Sequence, residues 1–208
     1  MKRKIITVAL VATMALSFAA CGDSNTQSGG SAESSAPAEQ VEQKSDEPVI
    51  EEQDGIRKET YYTNKELNLS GETGPIKYTV SGVQVSNVST TEESVASLLG
   101  IEVDQKAGLV VVNFDVENTS TDTISWYPDQ ATITTNTQEQ ADANMFLNDG
   151  DVGGDYIGNV KKSGQVMFIL PNSDAKDLTQ VSIHVDGPHD ANFNTVGDAV
   201  TIDIPVNQ

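Results

Sequence analysis

The sequence predicts an all-β fold, an antiparallel sandwich with one short helix. Three observations carry that expectation. Past residue 75, short runs alternate apolar and polar residues at period two, as strands with one face in a core do. Clusters of Asn, Ser, Gly and Pro separate the runs, as turns between strands require. Only one segment, TTEESVASLLG (90–100), carries the spacing of a helix. Roughly seven or eight strands in a single domain suit an immunoglobulin-like sandwich. The Cys and Trp pattern of antibody domains is missing, because the chain holds one Cys and one Trp.

The chain opens with Lys2, Arg3 and Lys4, followed by an apolar stretch from Ile5 to Ala20. A charged region and an apolar region of this length read as a secretory leader, shorter than the ~20 apolar residues of a spanning helix. The stretch ends Phe18-Ala19-Ala20-Cys21-Gly22. These residues resemble the lipobox of bacterial lipoproteins, with Phe18 standing where Leu is usual. The resemblance implies that the Cys21 thiol takes a diacylglyceryl group and that cleavage leaves Cys21 first in the mature chain. It predicts a lipoprotein signal peptide over 1–20 and acyl chains, palmitate among them, on Cys21. Cysteine arithmetic agrees. A lone Cys forms no internal disulfide, and a free thiol outside the cell is a liability that a thioether removes. Two acyl chains anchor stably where one is marginal.

From Gly22 to Asp54 the composition shifts to Ser, Gly, Ala, Glu and Asp, with no aromatic residue. Such a segment buries too little surface to offset its ordering entropy, which predicts a disordered acidic linker over 21–54. As a flexible coil it would span roughly 30–35 Å root-mean-square, and its charge stretches it further. The expected domain covers 55–208.

Within that domain, IKYTVSGVQVSNV (76–88) alternates through Ile76, Tyr78 and Val80, then shifts phase around Gly82 to Val83 and Val85. A Gly at a phase change predicts a bulge. Thr90 with Glu93 three residues on reads as a capping box, Val95, Leu98 and Leu99 as the helix's apolar stripe, and Gly100 as its stop. LVVVNFDVEN (109–118) sets Val110, Val112, Phe114 and Val116 on one face against Asn113, Asp115 and Glu117 on the other. Further strands are expected at 123–126, 131–136, 155–160, 165–170, 180–186 and 199–204.

The segments VVVNFDVENTSTDTISW (110–126) and KKSGQVMFILP (161–171), behind a lipobox leader and an acidic linker, resemble a known family. It is the Gram-positive lipoprotein domain of unknown function numbered 4352, similar to the secreted immunoprotective extracellular sandwich. The resemblance covers about Tyr78 to Pro205 and rests on β-patterns, not on a catalytic signature. It implies an extracytoplasmic interaction module and supplies no catalytic residue.

Charge narrows the partners. The leader takes three of the 12 Lys and Arg with it, leaving nine against 31 Asp and Glu, a net charge of −22. That excludes nucleic acid and docking on anionic lipid headgroups, both polyanions. It favours cations, basic peptides or plain solubility.

Three clusters carry residues suited to chemistry. LNDGDVGGDY (147–156) begins like a calcium loop, with Asp149, Asp151 and Asp155 as carboxylates. Gly153 and Val160 occupy two places where ligands are needed. A solvated turn explains the same letters. IHVDGPHD (183–190) holds both histidines, His184 and His189, which suit a transition metal if they converge. Trp126-Tyr127-Pro128 leaves a strand with two aromatic residues of the type that anchor binding surfaces, though a lone Trp also suits a core. No nucleophile elbow, zinc-protease motif, P-loop or dinucleotide fingerprint occurs. The expectation is a non-enzymatic binding module without a resident cofactor. A lipid anchors it on the extracytoplasmic face of the cell membrane, and its partner is a protein or envelope component. The alternative is a calcium-binding module using 149–155.

Overall fold

The structure, a computed structural model, describes residues 47–206. The expected signal peptide, Cys21 and most of the expected linker lie outside the described residues. Strand β1 (Val49–Gln53) turns into β2 (Ile56–Asn64), and β3 (Leu69–Thr73) turns into the long β4 (Ile76–Thr90). Helix α1 (Glu93–Leu99) crosses to β5 (Ala107–Asn118). Next come β6 (Thr123–Trp126), a 3-10 turn at Pro128–Gln130, β7 (Thr132–Thr135) and β8 (Gln140–Asp142). The chain continues through β9 (Asp149–Gly150), β10 (Gly154–Ile157) and β11 (Lys161–Leu170). It closes with β12 (Gln180–Val185), β13 (His189–Asp190) and β14 (Val200–Pro205).

Every strand pairing is antiparallel. One large sheet runs β1-β2-β4-β5-β11-β9, with β3 also on β4. Two smaller sheets, β10-β6-β13 and β14-β12-β7-β8, form the opposing layer. Between the layers lies one apolar cluster. Val80, Val112, Phe114 and Phe168 come from the large sheet, and Trp126, Ile133, Tyr156 and Ile183 from the smaller ones. This is the expected antiparallel sandwich with a single helix.

The phase change in β4 has a topological cause. Along one edge, residues 76–80 pair with β3 and residues 83–90 with β2. The register against β5 slips between Val80 and Gly82, where one neighbour gives way to the next. The bulge realigns a strand that serves two partners.

The large sheet is buried on both faces at one end. In β5 the residues Val110 and Val112 enter the sandwich core, while Leu109 and Val111 are buried outside it. With Val88, Met167 and Ile169 they form a second apolar layer, which also holds Val95, Ala96 and Leu99 of α1. A run such as LVVV, apolar at consecutive positions, reports two covered faces, as strict alternation reports one.

Several expectations change. The domain begins earlier than residue 55, because β1 pairs with β2 from Val49 onward. The missed signal was Asp54-Gly55, whose φ values of +51° and +77° make the tight turn that a two-residue hairpin requires. The helix starts later than Thr90, which is held in β4 by pairing with Ile56. Thr90 Oγ1 still accepts from the Glu92 N–H at 3.1 Å, but Glu92 is the N-cap and no capping box forms. Gly100 closes the helix as expected, at φ +69°. Leu98 is only half-buried, and Ala96 takes its place on the buried stripe.

Asp174 fastens the turn after β11 to β4. Burial alone would raise its carboxyl. Hydrogen bonds from Asn87 Nδ2 (2.8 Å), Lys106 Nζ (2.6 Å) and the Lys176 N–H (3.1 Å) outweigh burial and hold it at about 2. A depressed carboxylate stabilises the fold above its unfolded value of about 3.9, and that stability is lost as pH falls through the folded value. Chemical melts between pH 5 and pH 2 are therefore expected to lose about 1–2 kcal/mol at this site, allowing for partial solvent screening. Asp174→Asn is expected to flatten that part of the acid limb.

Candidate functional site

The structure separates the residues that the sequence singled out. Trp126 belongs to the core and not to a binding surface. Its ring packs 5.6 Å from that of Tyr78, and its Nε1 donates to the Asp186 carbonyl at 2.8 Å. Strand β6 points it inward because it lies between the layers, where the largest apolar side chain gains most. Tyr127, one residue past the end of β6, is half-buried.

Asp149, Asp151 and Asp155 do not converge. Asp149 Oδ1 accepts from the Gly150 N–H at 2.9 Å, and Asp155 Oδ1 accepts from Ser125 Oγ at 2.5 Å. Asp151 Oδ1 accepts from Lys162 Nζ at 3.0 Å. That ammonium also donates to the Gly153 carbonyl at 2.9 Å and lies 4.9 Å from the centre of the Tyr156 ring. The chain's own lysine thus occupies the loop that the calcium alternative would use. Tyr156 beneath it is buried, which pushes its phenol up, and it donates to the Val152 carbonyl.

The histidines sit on different sheets. His184 on β12 places Nε2 2.9 Å from Thr134 Oγ1 and Nδ1 3.1 Å from Thr201 Oγ1, a cross-strand row on a sheet surface. His189 on β13 stacks between the rings of Tyr127 and Phe193. No group of three His, Cys, Asp or Glu placed to hold a metal occurs among the described residues.

The feature that the sequence did not announce is a groove over the second apolar layer. It encloses about 740 Å³ between α1 and the loop at 142–147, with Leu98, Leu99, Ile169 and Pro171 among its walls. Its rim carries Met145 and Phe146, which are 60% and 85% exposed. The loop is pinned at both ends. Asn144 donates from Nδ2 to the Leu98 carbonyl at 3.0 Å and from its backbone to the Met167 carbonyl at 2.8 Å. Asn148 accepts from the Met167 N–H at 2.8 Å and donates from Nδ2 to the Asp129 carbonyl at 3.0 Å. Leu147 is buried between these anchors, so Met145 and Phe146 are held outward by a fixed backbone. In sequence, NMFLN is one apolar run of three flanked by two Asn, too short to be read as a surface.

Among the described residues no helix is long and apolar enough to cross a membrane. No family model matches the chain. A relative was found in Bacillus subtilis strain 168, the SPbeta prophage-derived uncharacterized lipoprotein YonS. It is 26% identical over 157 residues, 75% of this chain and 69% of that one. The chain is similar to a lipoprotein. Among solved structures, a protein of unknown function from Listeria monocytogenes EGD-e superposes with a TM-score of 0.56 at 14% identity. The match covers 72% of this chain and 88% of that one, and it shows the fold alone. A candidate lipoprotein of Bacillus subtilis, ycdA, matches with a TM-score of 0.46 at 13% identity, over 67% of this chain and 39% of that one.

Proposed function

We propose that this chain is a non-catalytic binding module, held by a lipidated Cys21 on the outer face of a Gram-positive cell membrane. Its groove receives an apolar segment of a protein partner, flanked by basic residues. The Bacillus lipoprotein relative and the Phe18–Gly22 lipobox support the anchor. The histidines' engagement with threonines and aromatic rings supports a role without catalysis.

The observation that carries the binding reading is the exposure of Met145 and Phe146 on a pinned loop beside an apolar groove. Such side chains gain free energy only when something covers them. Aromatic residues anchor interfaces, and Met adapts to irregular surfaces. Charge names the occupant's flanks. Asp142 is the one charged residue in the groove wall, and the chain carries −19 overall, so basic flanks are attracted and acidic ones repelled.

Fluorescence anisotropy of a labelled amphipathic Leu/Lys peptide against the full-length chain tests this. The peptide is expected to bind, more weakly as salt rises, while a Leu/Glu peptide of equal length does not. The double variant Met145→Ser, Phe146→Ser is expected to bind at least about tenfold less tightly, roughly 1.4 kcal/mol. Equal binding by wild type and variant would remove the groove from the reading. Expressed in a Gram-positive host, the Cys21→Ala protein should take up no labelled palmitate and lose the membrane retention of the wild type.

A further inference from the structure

The free edge of β1 shares no residue with the groove. All five residues of β1 are exposed, so the strand adds no side chain to the core. Its ladder with β2 holds it to the sheet. Hairpin geometry tells which backbone groups that ladder leaves over. Asp54 and Gly55 make a two-residue turn, so Gln53 and Ile56 on either side of it form a hydrogen-bonded pair. Such pairs alternate along an antiparallel ladder, which makes Glu51–Lys58 and Val49–Thr60 the next ones. Ile50 and Glu52, in the intervening pairs, turn both N–H and C=O to the free edge.

An open edge templates another strand, and proteins blunt such edges with Lys, Pro, bulges, short strands or a covering loop. The far side of the same sheet is blunted in this way. Its outer strand β9 has two residues, with Gly150 at φ +80°. Beyond β9 the loop at 142–148 covers β11, where the Asn144 N–H donates to the Met167 carbonyl and Asn148 Oδ1 accepts from the Met167 N–H, each at 2.8 Å. β1 has none of these devices, since it runs without Lys, Pro or bulge. It presents Val49 and Ile50, 64% and 49% exposed, and then Glu51 and Glu52, one on each face.

We infer that β1 receives an extended basic segment of a partner protein as an added antiparallel strand. Backbone groups spaced as a ladder are matched by the backbone of another strand, with alternate side chains giving the specificity. Charge decides which strand. Glu51 and Glu52 put a carboxylate on either face of the edge. At its turn end a hollow of about 450 Å³ is walled by Glu52, Asp54 and Asp104 against one cation, Arg57, which is already ion-paired to Glu52 and Glu59. Lys or Arg on the incoming strand is attracted there, and acidic residues are repelled. A second copy of the chain fits poorly. Aligning Ile50 with Glu52 sets Glu51 against Glu51, and aligning Glu52 with Glu52 opposes like charges directly. Aligning Ile50 with Ile50 runs Glu52 into Pro48, which has no N–H to donate.

An NMR titration of the isotope-labelled full-length chain with a short peptide alternating Lys and Thr tests the edge. The amide signals of Ile50 and Glu52 are expected to shift and their hydrogen exchange to slow at least tenfold, less so as salt rises. A Glu/Thr peptide of equal length is expected to leave both amides unchanged, as is the Lys/Thr peptide with every backbone nitrogen methylated. Ile50→Pro removes an outward N–H and no bond to β2, a place where an edge strand tolerates Pro. Its affinity for the Lys/Thr peptide is expected to fall at least tenfold, while the Met145→Ser, Phe146→Ser variant binds as wild type does. Unchanged amides at Ile50 and Glu52, or an equal response to the methylated peptide, would overturn the inference however Ile50→Pro folds. Protection of the same amides that grows with protein concentration and needs no peptide would overturn it in favour of a second copy.

Discussion

Trp126→Ala is expected to cost about 3–5 kcal/mol, the range for emptying a fully buried aromatic site. The indole is the largest side chain in the core and bridges the two layers, from β6 to Tyr78 on β4. A cavity there cannot be refilled by sliding one sheet, because both are fixed by their hydrogen-bonded ladders. The melting temperature should fall by roughly 10–15 °C for a domain of this size. Far-UV circular dichroism is the suitable readout, since the variant loses the chain's single Trp. Trp126→Phe separates the terms. It keeps most of the apolar contact but drops the bond to the Asp186 carbonyl, and should cost only about 1–2 kcal/mol. A Trp126→Ala protein that melts within 2 °C of wild type, about half a kcal/mol, would contradict the packing described.

Asn118→Ala is the second large effect, and it acts through hydrogen bonds. Asn118 closes β5 and is fully buried. Its Nδ2 donates to the Asp122 carbonyl at 2.8 Å and to the Tyr156 carbonyl at 3.1 Å. Its Oδ1 accepts from the Ser120 N–H at 3.0 Å and from Ser120 Oγ at 2.9 Å. One amide thus shapes the turn into β6 and ties the large sheet to β10. Truncation leaves the buried Tyr156 carbonyl without this partner, at about 1–3 kcal/mol, and removes the side chain that orders the part-buried turn at Ser120 and Asp122. A net loss of about 3 kcal/mol is expected in urea melts. Asn118→Asp sharpens the test. A carboxylate would face two carbonyls, so its folded value must rise and the variant should regain stability as pH falls from 7 toward 4. A pH-independent loss in Asn118→Asp would mean that the donor geometry is not what holds the turn.

Much of the sandwich was legible in the sequence because its strands obey local rules. Val110, Val112, Phe114 and Val116 alternate into the core as expected. Gly82 marks the slip in β4, and Gly100 stops the helix. The strands that escaped notice are edge or satellite strands with weak alternation, such as β1, wholly exposed, and β3. β1 pairs with β2 and β3 with β4, each across a tight turn, so their register comes from a neighbouring strand and not from their own letters. For the candidate sites the balance reversed. The spacing of Asp149, Asp151 and Asp155 suggested an ion, but Lys162 arrives from β11 and fills the loop. Trp126 and Tyr127 look alike as neighbours, yet β6 ends at Trp126 in the core, and Tyr127 leads half-buried into the next turn. Met145, Phe146 and Leu98 come from separate segments, so no local pattern announces that they border one groove.

The sequence by itself determined the class of the fold, the position of most core strands and the likeness to a lipoprotein. Those properties rest on composition and period, which are local. Only the tertiary structure decided which aromatic residues are core and which are surface, which carboxylates meet a cation, and where an apolar groove opens. Each of those depends on side chains brought together from distant segments, and their burial and charge neighbours exist only after the two layers have closed.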